Sequence, residues 1–424
     1  MLDIKFIREN PDTVKWACEV KGFADHTDEI IALDKRVREL KTITESKTAE
    51  KNKISKEIPT AKDKAALVAA SKKIGDEIAA DMADLYVQEK ELNELLLSVP
   101  QIPSKDAPVG PDDSFNKVVA ENGAKKTFDF KPRNHWELLD MHGWWSGDKI
   151  AEISGARTYT LVGEAAELDL AIQTFVIKKL IKKGFTFISA PAIAKPGVIF
   201  NAGHFKGSDP SVMENDVFML NAPDKCLAGT SEIIMNGLHA DEILDESRLP
   251  LKYAGYSHCF RKEAGAAGKD TRGLIRVHEF HKVEQYIFCK PEQSDEMYES
   301  ILGNLREVFD DLEVPHHTID LSTGDMGFNK VKTCDVEVWI PGGARWVEVG
   351  SCSAIGEFQA RRTNTRYRAA DGTVRFCATL NNTAVALPRA LAIVLENHQN
   401  EDGSVNIPER LRPLMDGRSK IGGK

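Results

Sequence analysis

Two heptad repeats near the N-terminus constrain the fold of this chain more than any other feature. The seam positions of the first repeat are Ile30, Leu33, Val37, Leu40, Thr44, Lys47, Lys51, Ile54 and Ile58. Those of the second repeat are Leu67, Ile74, Ile78, Leu85, Leu92 and Leu96. Pro59 stands between the repeats, and proline ends a helix. A heptad spacing predicts a helix with one shielded seam, so we expect an antiparallel helical hairpin over about residues 27–99 that projects as an arm.

The charge of this hairpin differs from that of the rest of the chain. Residues 30–64 contain ten Lys or Arg against six Asp or Glu, a local charge of +4 in a chain with a net charge of −9. A solvated coiled-coil face and a surface that binds phosphates both fit this composition. Polar residues at seam positions near the tip of the hairpin suit contact with a partner better than they suit stability. The acidic net charge argues against indiscriminate coating of nucleic acid.

Length and composition narrow the class of protein. A chain of 424 residues with 42% hydrophobic content can bury a large core and is expected to form more than one domain. No apolar run reaches the roughly 18 residues of a membrane span, and "MLDIKFIREN" lacks the apolar segment of a secretory signal. We therefore expect a cytoplasmic protein without a membrane partner. Seven scattered cysteines without a C-x-x-C pair indicate neither a disulfide framework nor a zinc cluster.

A proline-containing linker, "SVPQIPSKDAPVGPDDS", precedes a region of mixed pattern. We expect an N-terminal domain over residues 1–110 and a second domain over 111–424. Helical periodicity over 164–183 is followed by strand-like runs that include "LKYAGYSHCF", "LIRVHEFHKVEQYIF", "CDVEVWI" and "RWVEVGSCS". Without regular βαβ spacing, these runs predict an α+β fold on a mostly antiparallel sheet. The phosphate loop of P-loop proteins and the Rossmann fingerprint are both absent from the sequence.

The segment "FRKEAGAAGKDTRGLIRVHEFHKVE", residues 260–284, is dense in charges of both signs. We interpret it as two strands joined by a glycine-rich loop, with Arg261 and Glu263 on one face of the first strand. Alternation would place Arg276, His278, Phe280, Lys282 and Glu284 on one face of the second strand. An arginine fork, an aromatic ring and a carboxylate suit phosphate, purine and amino or hydroxyl groups. Cross-strand ion pairs on a solvated face are the alternative.

The same segment resembles motif 2 of the seryl-tRNA synthetases, a family of class II aminoacyl-tRNA synthetases. "GFTFISAPAI" resembles motif 1 of that family, and "GTSEI" resembles its serine-binding Thr-x-Glu loop. "VEVGSCSAIGEFQARRTNTRYR" resembles the segment that leads into motif 3, and "TLNNTAVALPRALAIVLENHQNEDGSVNIPERLRPLMDG" resembles motif 3 and the C-terminal end. The hairpin resembles the tRNA-binding arm in position and length. The resemblance thus extends over essentially the whole chain.

The resemblance implies an ATP site, a serine pocket and a metal site. The ATP contacts implied are Arg261, Lys262, Glu263, Arg276, Phe280, Glu348, Val349, Gly350, Ser351 and Arg389. The serine contacts implied are Thr230, Ser231, Glu232, Arg261, Glu284, Asn381 and Thr383. The residues implied as catalytic are Arg261, Arg276 and Arg389, and those implied as Mg²⁺ ligands are Glu348 and Ser351.

Individual roles follow from the same resemblance. Arg261 is expected at the α-phosphate and the serine carboxylate, and Glu263 at the adenine amino group. Phe280 is expected to stack on adenine, and Arg276 to bind the β- and γ-phosphates. Glu284 is expected to accept a hydrogen bond from the serine hydroxyl. A site built in this way rejects an analogue that lacks the hydroxyl, because its own polar groups would be left unpaired.

The activity implied is that of a serine–tRNA ligase with ATP and Mg²⁺, which acts on L-serine and serine tRNA as a homodimer. Motif 1 would form the dimer interface, and the arm would bind the long variable arm of the tRNA. Selenocysteine tRNA is an open second substrate. Two alternatives stay open: a catalytically silent paralogue that acts as a binding protein, and a ligase that loads an amino acid onto a carrier protein. The second alternative is less consistent with a long arm.

Several positions depart from the common bacterial pattern of the family, among them Ser231 in the Thr-x-Glu loop and Ala190 in motif 1. Thr383 stands where serine is usual, and Pro388 directly precedes Arg389. Proline suits the first turn of a helix, so we expect the motif 3 helix to start there. Gly350 and Ala354 replace a serine and an asparagine near the expected metal ligands.

Overall fold

The computed structural model describes residues 1–203, 216–222, 224–263 and 272–423 of the chain. The chain divides into two compact units, of which the first ends at Pro100 and the second begins at Gln101. Among the described residues, no helix has the length and apolar character needed to cross a membrane.

The first unit is helical. It contains α1 (Ile4–Glu9), α2 (Pro11–Val20), α3 (Thr27–Glu57) and α4 (Lys64–Ser98). Helices α3 and α4 pack on each other and form the predicted hairpin, and every predicted seam position of α3 is at least partly shielded from solvent. Asp63 caps α4, where its Oδ1 accepts from the backbone N–H of Ala66 at 3.0 Å. The heptad prediction is therefore confirmed.

The seam of the hairpin changes character along its length. Near the base, Ile30, Val37 and Leu40 of α3 are buried. In the middle, the Nζ of Lys47 lies 2.7 Å from Oδ2 of Asp81 and 3.3 Å from Oε2 of Glu77, both on α4. At Lys47 the seam thus holds ion pairs between the two helices in place of apolar packing.

The second unit combines helices with a large sheet. Its helices are α5 (His135–His142), α6 (Gly147–Ser154), α7 (Glu164–Lys182), α8 (Pro196–Ala202), α9 (Ser231–Gly237), α10 (Ser294–Asp311), α11 (Phe358–Thr363) and α12 (Arg389–Asn397). The strands are β1 (Lys117–Asn122), β2 (Thr186–Ser189), β3 (Ile193–Ala194), β4 (Cys226–Leu227), β5 (Ile243–Asp245), β6 (Leu251–Phe260), β7 (Glu279–Cys289), β8 (His316–Asp320), β9 (Lys332–Ile340), β10 (Arg345–Gly356), β11 (Arg366–Arg368), β12 (Val374–Phe376), β13 (Ala378–Leu387), β14 (Val405–Asn406) and β15 (Lys420–Ile421).

Eight strands form the main sheet in the order β1-β8-β9-β10-β13-β7-β6-β2. Every neighbouring pair is antiparallel except β2 and β6, so the predicted α+β class on a mostly antiparallel sheet is confirmed. Helices α7, α10 and α12 contribute to the main hydrophobic core with the apolar residues of this sheet.

The central strand β7 shows how the two faces of the sheet differ. Gln285 donates from Nε2 to the carbonyl of Ile301 on α10 at 3.1 Å. The next residue, Tyr286, points to the opposite face, where its hydroxyl donates to Gln359 on α11 at 2.7 Å. Because side chains alternate along a strand, Phe280, Lys282 and Glu284 share the face of Tyr286. This face carries the candidate site.

The predicted boundaries of the two motif 2 strands were too wide. Strand β6 ends at Phe260, and β7 begins at Glu279, so Arg261, Glu263, Arg276 and His278 lie outside both strands. The physical reason is that the backbone of the second segment bonds elsewhere: the N–H of His278 donates to the carbonyl of Arg157 at 2.9 Å. Glu263 has a left-handed backbone with φ of 54°. The shared face predicted for the second strand holds for Phe280, Lys282 and Glu284 only.

Candidate active site

A polar cleft opens on this face of the sheet. Its walls come from the segments that follow β6 and precede β7, from β7, β10 and β13, and from the start of α12. The residues that line it are Arg261, Glu263, Leu274, Ile275, Arg276, Val277, Phe280, Lys282, Glu348, Val349, Ala386, Leu387, Pro388 and Arg389. Seven of the ten predicted ATP contacts are in this set.

Two arginines and an aromatic ring line the cleft together. The guanidinium carbon of Arg261 lies 5.3 Å from the centroid of the Phe280 ring. Arg276 donates from Nη1 to Oε2 of Glu263 at 2.6 Å. Nε of Arg276 is buried and has no partner in the described part of the chain. A buried donor without an acceptor is costly, so this position is suited to an anionic ligand.

Arg389 lies at the start of α12, directly after Pro388. Its Nε and Nη2 donate to the carbonyl of Ile275 at 3.2 and 3.0 Å, and its Nη1 donates to the carbonyl of Glu348 at 2.6 Å. The side chain therefore bridges the segment before β7 and strand β10. This bridge fixes a permanent positive charge on the wall of the cleft.

The predicted serine contact Glu284 is buried beside two donors. The hydroxyl of Thr383, its cross-strand neighbour on β13, donates to Oε2 at 3.1 Å. Nζ of Lys282 lies 2.5 Å from the same oxygen. Burial raises the pKa of Glu284 above its ordinary value, Lys282 opposes the rise, and the negative charge of Glu232 adds to it. In the described residues no hydrogen bond to Oε1 is formed, so this oxygen can accept from a ligand.

The segment Thr230 to Glu232 forms the start of α9. The hydroxyl of Thr230 accepts from the N–H of Glu232 at 3.2 Å and so caps the helix. The hydroxyl of Ser231 donates to the carbonyl of Gly255 at 3.0 Å and is buried, which commits it to the backbone. Asn381 is buried on β13, two residues before Thr383 and on the same face.

Gln359 on α11 holds Glu232 in place. Its Nε2 donates to Oε1 of Glu232 at 2.7 Å and to the carbonyl of Ala202 at 2.8 Å. Its Oε1 accepts from the hydroxyls of Tyr286 and Thr379, each at 2.7 Å. All the donors and acceptors of this buried amide are used, so its orientation is fixed.

The predicted metal ligands lie on β10, next to an acidic residue of β9. Asp335 pairs with Ser351 across the two strands and forms a hydrogen bond with its hydroxyl. Oδ1 of Asp335 is buried without a partner among the described residues. Burial, followed by the charge of Glu348, raises the pKa of Asp335 to about 7. Two carboxylates and a hydroxyl with an unused oxygen are a donor set that fits Mg²⁺.

Three predicted ATP contacts do not line the cleft. The Nζ of Lys262 lies over the Phe218 ring, 5.9 Å from its centroid. Gly350 lies beside a β-bulge, where a Cβ would come within 2.9 Å of the carbonyl oxygen of Thr383 and of Cδ2 of Leu305. Glycine therefore lets β10 approach β13 and α10 closely. Ser351 is turned towards Asp335.

Sequence reasoning missed three residues of the site. Lys282 was placed on the correct strand face but was not assigned to the serine pocket. Its position two residues before Glu284 on a strand was a usable signal. The sequence around Asp335 and Gln359 does not indicate their roles. Asp335 lies next to Ser351, and Gln359 next to Glu232, only because distant segments pack together in the fold.

An antiparallel sheet with this arginine-lined cleft defines the catalytic core of a class II aminoacyl-tRNA synthetase. The model described as "tRNA synthetase class II core domain (G, H, P, S and T)" matches residues 218–398, and "Seryl-tRNA synthetase N-terminal domain" matches residues 1–103. The chain belongs to the seryl-tRNA synthetase family: it is 42% identical to the serine–tRNA ligase of Deinococcus radiodurans, over 100% of this chain and 99% of that protein.

Other relatives agree along the whole chain. The serine–tRNA ligase of Symbiobacterium thermophilum is 41% identical over 97% of this chain and 98% of its own. The structure is similar to a crystal structure of seryl-tRNA synthetase from Pyrococcus horikoshii complexed with ATP, with a TM-score of 0.92 and 36% identity over 99% of both chains. It is also similar to cytoplasmic serine–tRNA ligase from Naegleria fowleri in complex with AMP, with a TM-score of 0.89 and 30% identity over 99% of this chain and 98% of that one.

Proposed function

We propose that this protein is a serine–tRNA ligase. It activates L-serine with ATP to seryl-adenylate and pyrophosphate, and it then transfers the seryl group to the 3′ end of serine tRNA. The observation that carries this proposal is the position of the Glu284–Thr383 pair beside a cleft lined by Arg261, Arg276 and Arg389. Full-length relatives of the chain are serine–tRNA ligases, and a structural neighbour is complexed with ATP.

In the activation step, a carboxylate oxygen of serine attacks the α-phosphorus of ATP, and the bond from that phosphorus to the pyrophosphate oxygen breaks. Phe280 offers a ring face to adenine, and Arg276 and Arg389 supply cations for the phosphates. Arg261 stands between the ring and the serine side of the site, where it can hold the carboxylate and the α-phosphate together. Positioning and charge neutralisation are the main contributions of the protein to such a reaction.

Selection of serine falls to the pocket around Glu284. Its Oε2 is occupied by Lys282 and Thr383, which leaves Oε1 to accept from the substrate hydroxyl. Glu232, held by Gln359, supplies a second carboxylate for the amino group of the substrate. Alanine would leave the buried Glu284 without its partner, and a loss of this kind rejects an analogue by as much as roughly 10⁴- to 10⁵-fold.

Glu348 and Ser351, with Asp335 beside them, would hold the Mg²⁺ that the family implies. When bound, the ion would neutralise the charge that develops on the phosphate oxygens. The residues themselves supply hard oxygen donors from the paired strands β9 and β10, and Arg389 donates to the carbonyl of Glu348 on β10.

The transfer step requires tRNA and the arm. We propose that α3 and α4 bind the long variable arm of serine tRNA, with lysines such as Lys51 and Lys72 at phosphates and 2′-hydroxyls. We also propose a homodimer in which motif 1, residues 184–193, lies at the interface, and a cytoplasmic location in keeping with protein synthesis. In support of the arm, residues 1–103 match the seryl-tRNA synthetase N-terminal domain, and a relative that matches over the full chain is a serine–tRNA ligase.

The test is amino-acid-dependent exchange of pyrophosphate into ATP with each standard amino acid, followed by transfer to serine tRNA. A shortened hairpin, in which a short glycine–serine turn replaces residues 45–82, keeps the buried base at Ile30, Val37 and Leu40. We expect exchange with serine alone, equal exchange in the shortened protein, and loss of transfer in the shortened protein.

Each alternative gives a different result. Absence of exchange with any amino acid would support a catalytically silent paralogue. Exchange with serine but equal transfer by both proteins would refute the role of the arm. Seryl loading of a carrier protein without transfer to tRNA would indicate the carrier-protein ligase.

A further inference from the structure

A fully buried histidine connects three elements that surround the ATP cleft. His135, at the start of α5, and Glu396, on α12, have side chains with no solvent exposure. The backbone N–H of Leu274 donates to Nε2 of His135 at 3.0 Å. Nδ1 of His135 lies 2.6 Å from Oε1 of Glu396, and the backbone N–H of His135 donates to the same oxygen at 3.0 Å. The other carboxylate oxygen accepts from the N–H of Gly342, in the β9–β10 turn, at 2.9 Å.

These contacts fix the tautomer of the ring. A backbone N–H can only donate, so Nε2 of His135 must present its lone pair to Leu274. The proton of a neutral imidazole is then on Nδ1, from which it is donated to Glu396. The carboxylate of Glu396 on α12 therefore orients the ring of His135, and the ring in turn holds the backbone N–H of Leu274, which precedes β7.

Leu274 is the first residue of a segment that forms one wall of the cleft. Leu274, Ile275, Arg276 and Val277 all line it, and the carbonyl of Ile275 accepts from Arg389. Arg389 and Glu396 lie seven residues, or about two turns, apart on α12, so both project towards the same side of the helix. One face of α12 thus holds this segment at two points, directly through Arg389 and indirectly through Glu396 and His135.

The glycine before Leu274 fits the same arrangement. Gly273 has φ of 86°, and a Cβ there would lie 2.2 Å from Nε2 of His135. The close approach of the ring to this backbone therefore requires both the left-handed conformation and the absence of a side chain.

We propose that His135 is a positioning residue for ATP: through Nε2 it holds the Leu274–Val277 segment in the conformation that presents Arg276 and the Ile275 carbonyl to the cleft. This inference rests on the proposed function for the identity of the nucleotide. His135 does not touch the cleft, so its effect is expected on the affinity for ATP and not on the serine pocket.

Two substitutions separate the two ring nitrogens. His135→Asn places its amide near the position of Nδ1, so it keeps the bond to Glu396 and loses the acceptor for Leu274. His135→Gln places its amide near the position of Nε2, so it keeps an acceptor for Leu274 and loses the donor to Glu396. The measurements are the KM values for ATP and serine in pyrophosphate exchange, equilibrium binding of ATP, and hydrogen–deuterium exchange of the peptide that contains Leu274.

We expect the Asn variant to raise the KM and the Kd for ATP about tenfold, the effect of losing one buried hydrogen bond. Its Leu274 amide should exchange faster, while the KM for serine stays within about twofold. The Gln variant should stay within about threefold for ATP and keep Leu274 protected. Equal effects of the two variants on ATP, or faster exchange of Leu274 without weaker ATP binding, would overturn the proposal.

If His135→Asn does not fold, His135→Gln and Glu396→Gln still test the proposal. Glu396→Gln retains one oxygen, which accepts from His135, and loses only the acceptor for the N–H of Gly342 in the β9–β10 turn. It should therefore keep both Leu274 protection and ATP affinity. A tenfold rise in the KM for ATP in Glu396→Gln or His135→Gln, with Leu274 still protected, would refute the role of Nε2. If the wild-type protein shows no serine-dependent exchange, the proposed function fails, while ATP binding and Leu274 exchange still test His135.

Discussion

Thr383 and Glu284 face each other across strands β13 and β7, with the threonine hydroxyl 3.1 Å from Oε2 of the carboxylate. The resemblance to the common bacterial pattern of the family leads us to expect serine at this position, and threonine makes the polar contact through the hydroxyl that both residues share. The additional methyl group does not remove this donor. The departure at this position is therefore compatible with a working serine pocket.

We expect Thr383→Val to lower kcat/KM for serine roughly tenfold to hundredfold, because a hydrogen bond to a charged group contributes about 1.5–3 kcal/mol. The KM for ATP should change by less than about twofold, since Thr383 does not line the cleft. Thr383→Ser keeps the hydroxyl and is the matched control, expected within about threefold of wild type. Pyrophosphate exchange measures all three. Equal losses in the Val and Ser variants would show that the methyl group, and not the hydroxyl, is important.

Lys282 adds a second constraint on the same carboxylate. Burial raises the pKa of Glu284, Lys282 opposes the rise through its charge and its hydrogen bond, and Glu232 adds to it. In the serine pocket proposed above, Glu284 would accept from the substrate hydroxyl in its ionised form. As the pH falls through its raised pKa, Glu284 takes up a proton, so kcat/KM for serine should fall on the acid side.

Lys282→Met removes the cation that opposes this rise, so the acid limb of the profile should move to higher pH. The measurement is kcat/KM for serine from about pH 5 to about pH 9. Lys290→Met is the matched control, because Lys290 forms a similar ion pair with Glu246 outside the cleft, at 2.9 Å. A limb that stays in place in Lys282→Met, or moves equally in Lys290→Met, would contradict this assignment.

Gly350 provides a test of packing behind the pocket. A Cβ at this position would lie 2.9 Å from both the carbonyl oxygen of Thr383 and Cδ2 of Leu305. Gly350→Ala should therefore destabilise the protein by about 1–3 kcal/mol and raise the KM for serine more than that for ATP. Gly303→Ala is the control: a Cβ there meets nothing within 4 Å, and alanine in a helix should stabilise by about 0.5–1 kcal/mol. Denaturant unfolding compares the two. Equal stability of both variants would rule out this steric account.

Those parts of the fold that depend on local periodicity could be predicted from the sequence. The predicted heptad positions from Ile30 to Ile58 are all at least partly shielded from solvent, including the polar residue Lys47. The alternation of Phe280, Lys282 and Glu284 on one face of β7 also follows from sequence, since strand geometry determines it. The assignment of Arg261, Arg276 and Arg389 to one site came from family resemblance, and the cleft contains all three.

Other parts depend on contacts between distant segments. The residues before β7 leave the sheet because the N–H of His278 bonds to Arg157 and the carbonyl of Ile275 bonds to Arg389. No periodicity in the sequence records those partners. Likewise, the register of β9 against β10 places Asp335 opposite Ser351, where its Oδ1 is buried without a partner among the described residues. Sequence patterns predict elements and faces, whereas the termination of a strand next to a site depends on which distant groups satisfy its backbone.

His398 links the end of α12 to Leu312, the residue that follows α10, and makes stability depend on pH. Its Nε2 lies 2.8 Å from the carbonyl of Leu312, to which it donates, and its Nδ1 lies 3.2 Å from Nζ of Lys126. Burial, followed by the charge of Lys126, lowers the pKa of His398 from 6.5 to about 4. The unfolded chain therefore binds a proton at a higher pH than the folded protein does. The stability that results is fully present above pH 6.5 and is lost as the pH falls towards 4.

We expect His398→Gln, which keeps a donor near the position of Nε2 but does not titrate, to reduce this acid loss by up to about 3 kcal/mol. The measurement is the urea unfolding free energy of wild type and variant at intervals between about pH 7.5 and about pH 4.5. The two curves should converge as the pH falls, because only the wild type loses the contribution of a neutral buried imidazole. Parallel curves over this range would mean that His398 does not titrate differently in the folded and unfolded states.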